Sequence, residues 1–224
     1  MTSSPTEIHA PLGGRVKRIM DLVIAIPMTV LTAPLMIVIA ILVRRDSPGP
    51  ALFRQTRAGL NGRPFTVLKF RTMVQGAEGM GSGLAVDADD ERITRLGAAL
   101  RRYSLDELPQ LINVLLGQMS IVGPRPTVPS QIERYTEEQR GRLLARPGLT
   151  GLAQIRGRAT LPWSERIAID LEYVRTWSPL GDLRIMLGTI GVLLRPTDTY
   201  RGETGGFDLP APDETNEETP SSPK

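Results

Sequence analysis

The chain contains no cysteine and a single histidine, His9, which lies in a polar N-terminal stretch. A thiol nucleophile, a serine–histidine triad and a Cys/His zinc site are therefore unavailable within it. Carboxylate, hydroxyl and amine groups remain for chemistry. A metal would meet hard oxygen ligands, which points to magnesium rather than zinc or copper. Aromatic residues make up only 4% of the 224 positions. No basic helix or stacking motif accompanies them, so nucleic acid is not the expected partner. The glycine cluster Gly79-Met-Gly-Ser-Gly83 lacks the lysine and the helix of a P-loop, which removes that phosphate-binding device too.

One long apolar run stands against these absences. Ile19 to Val43 has Asp21, Thr29 and Thr32 as its polar interruptions. As a straight helix it would reach about 37 Å at 1.5 Å per residue, enough to cross a bilayer. Arg15, Lys17 and Arg18 precede it and Arg44 and Arg45 follow, so the positive-inside rule puts both ends on the cytoplasmic face. Pro34 near the middle, with Pro27 before it, removes backbone donors and permits a break. A re-entrant hairpin satisfies both observations; a single-pass helix and a buried core helix are the alternatives. Arg44-Arg45-Asp46 occupies the place where a signal peptide would carry small residues for cleavage.

Other segments read as peripheral to a membrane. Leu183 to Leu194 is mostly apolar but too short to span. Trp163, Ile167, Leu171, Val174 and Trp177 recur at helical spacing, which predicts an interfacial helix with tryptophans at headgroup depth, or else an ordinary globular surface helix. Arg201 to Lys224 is a Gly-, Pro-, Ser- and Thr-rich acidic tail expected to be disordered. It holds six acids and two bases, so the remainder has 18 acids and 25 bases, a charge of about +7 suited to anionic lipid and a phosphorylated ligand. The expected organisation is an N-terminal tail (1–14), a membrane anchor (15–45), a cytosolic catalytic domain (46–200) and the tail (201–224).

Chemistry concentrates in Arg101-Arg-Tyr-Ser-Leu-Asp-Glu-Leu-Pro-Gln110, where the adjacent acids Asp106 and Glu107 follow two arginines. Leu105, Leu108, Ile112, Leu115 and Met119 predict a packed helix with Ser104 at its N-cap. One reading is structural: Ser104 and Glu107 form a capping box, and Asp106 complements the helix dipole. The other is phosphate chemistry, since a helix start beside Arg101 and Arg102 attracts anions. Upstream, Ala51–Gln55 and Pro64–Thr72 read as strands around an Asn61-Gly62 turn, with Arg54, Arg57, Lys69 and Arg71 as their cations. Gly76 to Asp90 is expected to be a mobile loop. Downstream, two prolines in Ser120-Ile-Val-Gly-Pro-Arg-Pro126 hold Arg125 extended, as a phosphate clamp or simply as part of a stiff loop.

Together these segments resemble the bacterial sugar transferase family, the small monotopic polyprenyl-phosphate glycosyl-1-phosphate transferases. The resemblance runs from about Lys17 to Leu194. It rests on Lys17-Arg-Ile-Met-Asp21, Lys69-Phe-Arg-Thr-Met73, Leu105-Asp-Glu-Leu-Pro-Gln110, Gly117-Gln-Met-Ser-Ile-Val-Gly-Pro-Arg-Pro126, Pro147-Gly-Leu-Thr-Gly151 and Asp170-Leu-Glu-Tyr173, in that order. It implies an α+β catalytic domain of short strands and amphipathic interfacial helices on an N-terminal re-entrant membrane helix. It implies that Asp106 is the nucleophile and a magnesium ligand, with Glu107 its partner in a dyad, and that Arg101 and Arg125, and more weakly Lys69 and Arg71, bind phosphate. The implied partners are a nucleotide sugar, polyprenyl phosphate and inner-membrane lipid. The family commonly has Ser-Pro at the anchor break, where this chain has Ala33-Pro34, with Thr32 adjacent. The multi-pass N-terminal region of larger relatives is missing, so the expectation is a catalytic unit alone.

Overall fold

The apolar run becomes one helix. In the computed structural model, which describes residues 12–80, 90–157, 161–194 and Leu209, α1 spans Gly14–Asp46. It is continuous through Pro27 and Pro34, so the interruption expected at Pro34 is not a loss of helix. The hydroxyls of Thr29 and Thr32 donate to the carbonyls of Ala25 and Met28, one turn back. Such back-bonding, like the donors the prolines remove, permits a bend without ending the element.

The helix is held at its two ends and bare between them. In its first leg Lys17, Asp21 and Ala25 are buried, and in its last leg Ile39 and Val43. Arg18 donates to the carbonyls of Val114 and Leu115 at 2.6 and 2.8 Å. Asp21 accepts from the Ser120 hydroxyl and the Ile121 amide at 2.8 and 2.9 Å. Ile39 and Val43 pack against Phe70 and Leu100. Between the legs Val30 and Leu31 are 71% and 81% exposed, so this stretch finds no cover in the protein.

The body starts with the predicted hairpin. Strands β1 (Leu52–Ala58) and β2 (Pro64–Phe70) pair antiparallel, Leu52 opposite Phe70 and Ala58 opposite Pro64. Asn61 and Gly62 take the left-handed conformation there, at φ 54° and 74°. Helix α2 (Arg95–Arg102) follows, capped by the Thr94 hydroxyl. A side chain at Gly97 would put Cβ 2.0 Å from the Thr72 carbonyl oxygen, so only glycine lets α2 lie directly on the chain leaving β2. Next come α3 (Gln110–Leu115), β3 (Ser120–Val122), α4 (Pro129–Ile132) and α5 (Glu137–Arg140). Strand β4 (Gly148–Thr150) pairs parallel with β3, and α6 (Leu152–Arg156), α7 (Trp163–Thr176) and α8 (Pro179–Leu194) complete the mixed helix and strand body. Leu111, Val114, Met119, Val122, Tyr173 and Ile185 form the central core.

Two expectations change here. The helix predicted from Leu105 is split: a 3-10 turn covers Leu105–Glu107, and α3 begins only after Pro109, whose ring removes an amide donor. Its buried face is Leu111 and Val114, while Ile112 and Leu116 are exposed. The stripe on α7 is not interfacial, because Trp163, Ile167 and Leu171 turn inward around Tyr135. Its alternative as an ordinary globular helix holds, and the exposed apolar stripe belongs to α8, at Leu180, Leu183, Leu187, Ile190 and Leu194. The terminal tail and most of the Gly76–Asp90 loop lie outside the described residues; Leu209 is the exception, buried beside Tyr135 and Trp163.

Candidate active site

Asp106 and Glu107 meet the cations of three elements. Lys69, near the end of β2, places Nζ 2.6 Å from Glu107 Oε1, and Arg125, on the loop after β3, reaches the same oxygen at 3.1 Å. Asn113 sets the distance between β2 and α3. Its amide accepts from the Leu68 N–H and donates to the Thr66 carbonyl, and it is 1% exposed. Arg101, at the end of α2, donates to the Thr72 hydroxyl at 2.8 Å and lines the same cavity as the acids.

The capping box is absent. Ser104 makes no side-chain cap bond and sits in the left-handed region at φ 55°, a conformation costing roughly 1–2 kcal/mol for a residue with a Cβ. That turn reverses the chain between α2 and the dyad, and with the cap unmade Glu107 pairs with Lys69 and Arg125 instead. Strain of this kind beside a buried acid pair marks a candidate functional site, a signal the sequence did not carry.

The two acids are electrostatic opposites. Burial pushes the Asp106 carboxyl up to about 6, with Lys69 opposing the shift and the Glu107 charge adding to it. Burial also raises Glu107, but Lys69 and Arg125 outweigh it and hold that carboxyl at about 2. Glu107 in turn raises Arg125 above its ordinary value. No hydrogen bond reaches the Asp106 carboxylate among the described residues, although the side chain is only 8% exposed. Adjacent carboxyls pushed apart in this way differ in charge state near neutral pH, Glu107 a fixed anion and Asp106 close to its titration, the pattern that marks a candidate acid or nucleophile.

The loop carrying Arg125 is rigid for reasons beyond its prolines. The Pro124 carbonyl accepts from the Gly148 amide and the Thr127 carbonyl from the Ala58 amide, both at 2.8 Å. Arg142 donates to the Arg125 carbonyl at 3.1 Å, to the Tyr135 hydroxyl at 2.6 Å and to Asp170. It is 2% exposed, and its guanidinium lies against the Trp163 ring. Sequence reading did not single out Arg142, since one arginine in Gly141-Arg-Leu-Leu144 carries no signal of burial. Asp170 was visible only within a motif.

Arg71, expected to bind phosphate, lines the cavity but commits its guanidinium to the protein backbone. It is buried, donating to the carbonyls of Val43, Ser47 and Pro48, so it closes the C-terminal end of α1. Arg102 is exposed, beside the Tyr103 ring. Lys69, Arg101 and Arg125 are the cations whose charges bear on Asp106, and they line a cavity of about 1430 Å³ that also reaches Ile24 and Met28 of α1 and Met186, Thr189 and Leu193 of α8.

The sequence has relatives among known proteins. The chain is 47% identical over 192 residues to the UDP-glucose:undecaprenyl-phosphate glucose-1-phosphate transferase of Caulobacter vibrioides, covering 82% of this chain and 72% of that protein. It is 39% identical over 204 residues to the exopolysaccharide production protein ExoY of Rhizobium meliloti, covering 85% and 90%. To the undecaprenyl-phosphate galactose phosphotransferase of Salmonella typhimurium it is 38% identical over 198 residues, covering 82% of this chain but 41% of that protein. The profile of the bacterial sugar transferases matches residues 13–196, a span that contains the dyad, its three cations and both legs of α1, and the chain belongs to that family.

Proposed function

We propose that this chain transfers a sugar 1-phosphate from a nucleoside diphosphate sugar, specifically a UDP-sugar, to polyprenyl phosphate. The products are a polyprenyl diphosphate sugar and a nucleoside monophosphate. The observation that carries the reading is Asp106, a buried carboxylate raised toward neutrality, without a hydrogen-bond partner among the described residues, in a cavity with Lys69, Arg101 and Arg125. The names of the Caulobacter and Salmonella relatives support the donor and acceptor classes, and the different sugars in them leave the sugar open. The name of the Rhizobium relative supports a part in exopolysaccharide production, which loading a lipid carrier with its first sugar would begin.

The reaction divides into two displacements at one phosphorus. An Asp106 oxygen attacks the sugar-bearing phosphorus, the bond to the bridging oxygen breaks, and nucleoside monophosphate departs with the electron pair. An oxygen of polyprenyl phosphate then attacks the same phosphorus, and Asp106 leaves as a carboxylate. A carboxyl of raised pKa is a more basic nucleophile than an ordinary aspartate and is still mostly ionised above pH 6. Lys69, Arg101 and Arg125 hold the phosphate oxygens, and Glu107, ionised throughout, orients two of these cations.

Among the described residues no three His, Cys, Asp or Glu side chains form a closed metal cage. The donor set fits magnesium instead, which binds through one or two carboxylates together with substrate phosphates. Asp106 would be the protein ligand, and the ion would neutralise phosphate charge that otherwise repels an anionic nucleophile.

Attachment to the bacterial inner membrane, with the body on the cytoplasmic face, is part of the same reading. Both legs of α1 dock on one body while the middle is apolar and uncovered, which supports a helix that dips into one leaflet and returns. The basic flanks Arg15, Lys17, Arg18, Arg44 and Arg45 favour the cytoplasmic side at both ends. The exposed stripe of α8 supports a second, interfacial contact.

The test is a purified protein given UDP-sugars with magnesium. Without lipid, a sugar-phosphate adduct on Asp106 and at most one equivalent of monophosphate are expected. Polyprenyl phosphate should discharge the adduct and allow turnover. Release of nucleoside diphosphate, or kinetics requiring both substrates bound before any product, overturns the mechanism. Because the chain has no cysteine of its own, single cysteines introduced at positions 10 and 50 report topology; labelling from opposite sides of the membrane would refute the re-entrant helix.

A further inference from the structure

We infer that the apolar arm of the catalytic cavity, between the first leg of α1 and the inner face of α8, binds the hydrocarbon chain of the polyprenyl phosphate acceptor. This inference rests on the proposed transfer and adds a location for one substrate.

The two helices are tied at their base by a buried ion pair, Lys17 Nζ to Asp182 Oδ2 at 2.7 Å. From that tie both run on in the same sequence direction. On α1 the face of Lys17 and Asp21 continues as Ile24 and Met28; on α8 the face of Asp182 continues as Met186, Thr189 and Leu193. The spacing is the same on both, with steps of four, three and four residues, so each line keeps to one side of its helix for about 16 Å. Ile24, Met28, Met186, Thr189 and Leu193 all line the cavity that contains Asp106. Met28 is 38% exposed and Leu193 is 41% exposed, so apolar side chains face space rather than protein. A hydrogen bond of 2.7 Å between the Thr150 and Thr189 hydroxyls fixes the α8 wall to β4.

Size separates this arm from the donor site. The cavity, about 1430 Å³, exceeds the roughly 300–1,000 Å³ that suffices for a drug-sized ligand. A nucleotide sugar is polar along its length and belongs with Lys69, Arg101 and Arg125, which leaves the apolar arm to a ligand of opposite character. That ligand must carry a phosphate to the cations while its remainder lies among Ile24, Met28 and Leu193. A single-chain lipid phosphomonoester has this form. The bare middle of α1, next along the same helix, supplies the apolar route by which such a chain enters.

The experiment places a benzophenone side chain at position 193, facing the arm, and separately at position 187, on the outer stripe of α8. Full-length protein in phospholipid nanodiscs containing polyprenyl phosphate is irradiated without nucleotide sugar. Position 193 should capture polyprenyl phosphate well above its share of the lipid, and position 187 should capture bulk phospholipid. Equal capture at the two positions, or phospholipid alone at 193, overturns the inference. In turnover, Leu193→Asn should lower kcat/KM for a long-chain acceptor about tenfold relative to a short-chain one. An unchanged chain-length preference also counts against the arm. Crosslinking needs no turnover, so a protein that captures the lipid but releases no monophosphate refutes the reaction rather than the location.

Discussion

Two corners of this molecule set acids among cations and treat them differently. At the base of α1 and α8, Asp182 accepts from Lys17, the Trp177 ring nitrogen and the Tyr173 hydroxyl, at 2.7, 3.1 and 2.9 Å. At the dyad, Glu107 is paired twice while Asp106, one residue away, accepts nothing from the described protein. A buried carboxylate whose oxygens are occupied holds elements together, and the donors around it lower its nucleophilicity. One left without partners is reactive, and its burial counts against the fold. On the proposed mechanism the first corner serves stability and the second chemistry, from the same residue types.

The sharpest break of that comparison is to neutralise one acid in each corner. Asp106→Asn should lower turnover by roughly a thousandfold or more, since it removes the nucleophile. It should also leave the melting temperature unchanged or raised, because a buried carboxylate without partners is replaced by a neutral amide. Lys17→Met should do the reverse. It leaves Asp182 buried without its counter-ion and should cost about 3–5 kcal/mol of stability, read by denaturant unfolding, with the chemical step largely retained in the molecules that stay folded. Equal stability losses from the two substitutions would erase the distinction drawn here.

Smaller effects are expected where the dyad resembles the structural corner. Glu107→Gln and Arg125→Ala each disturb a pair that orients cations, and each should slow formation of the phosphosugar adduct by about 10- to 100-fold. Rapid-quench measurement of monophosphate release checks this. Arg71→Lys should leave adduct formation within a few-fold of normal, since Arg71 serves the end of α1 rather than phosphate. A loss as large as that of Arg125→Ala would return Arg71 to the phosphate site.

The difference between the corners explains which parts were legible in sequence. The hairpin was, because Asn61-Gly62 dictates its turn locally. So was the long apolar helix, whose composition needs no partner to be read, and so was the nearness of Glu107 and Arg125, which motif order suggested. Three features depend on pairings distant in sequence and were not legible. Ser104 looked like a cap because its neighbours fit a capping box, but Lys69 and Arg125 claimed Glu107. The α7 stripe looked interfacial because spacing reports a face and not what covers it. Arg142 gave no signal, as its burial rests on Tyr135, Trp163 and Asp170 closing around it.

The pH dependence tests the same asymmetry at the smallest scale. With Asp106 at about 6, adduct formation should be flat above pH 7 and fall about tenfold for each unit well below 6, as the nucleophile protonates. Lys69 lowers this value and Glu107 raises it. Lys69→Met should therefore move the acid limb to higher pH, and Glu107→Gln should move it lower. Stability follows with the opposite sign. A carboxyl raised from 3.8 in the unfolded chain to about 6 in the fold penalises the folded state above pH 6, by on the order of 3 kcal/mol. The penalty fades as pH falls through that window. Glu107, held at about 2, contributes stability above its ordinary value of 4.5 and loses it as pH drops toward 2. The stability advantage of Asp106→Asn should accordingly be present at pH 7.5 and gone by about pH 4. If the advantage is the same at both pH values, burial of the Asp106 charge is not its source, and the acid limb of the rate must belong to another group.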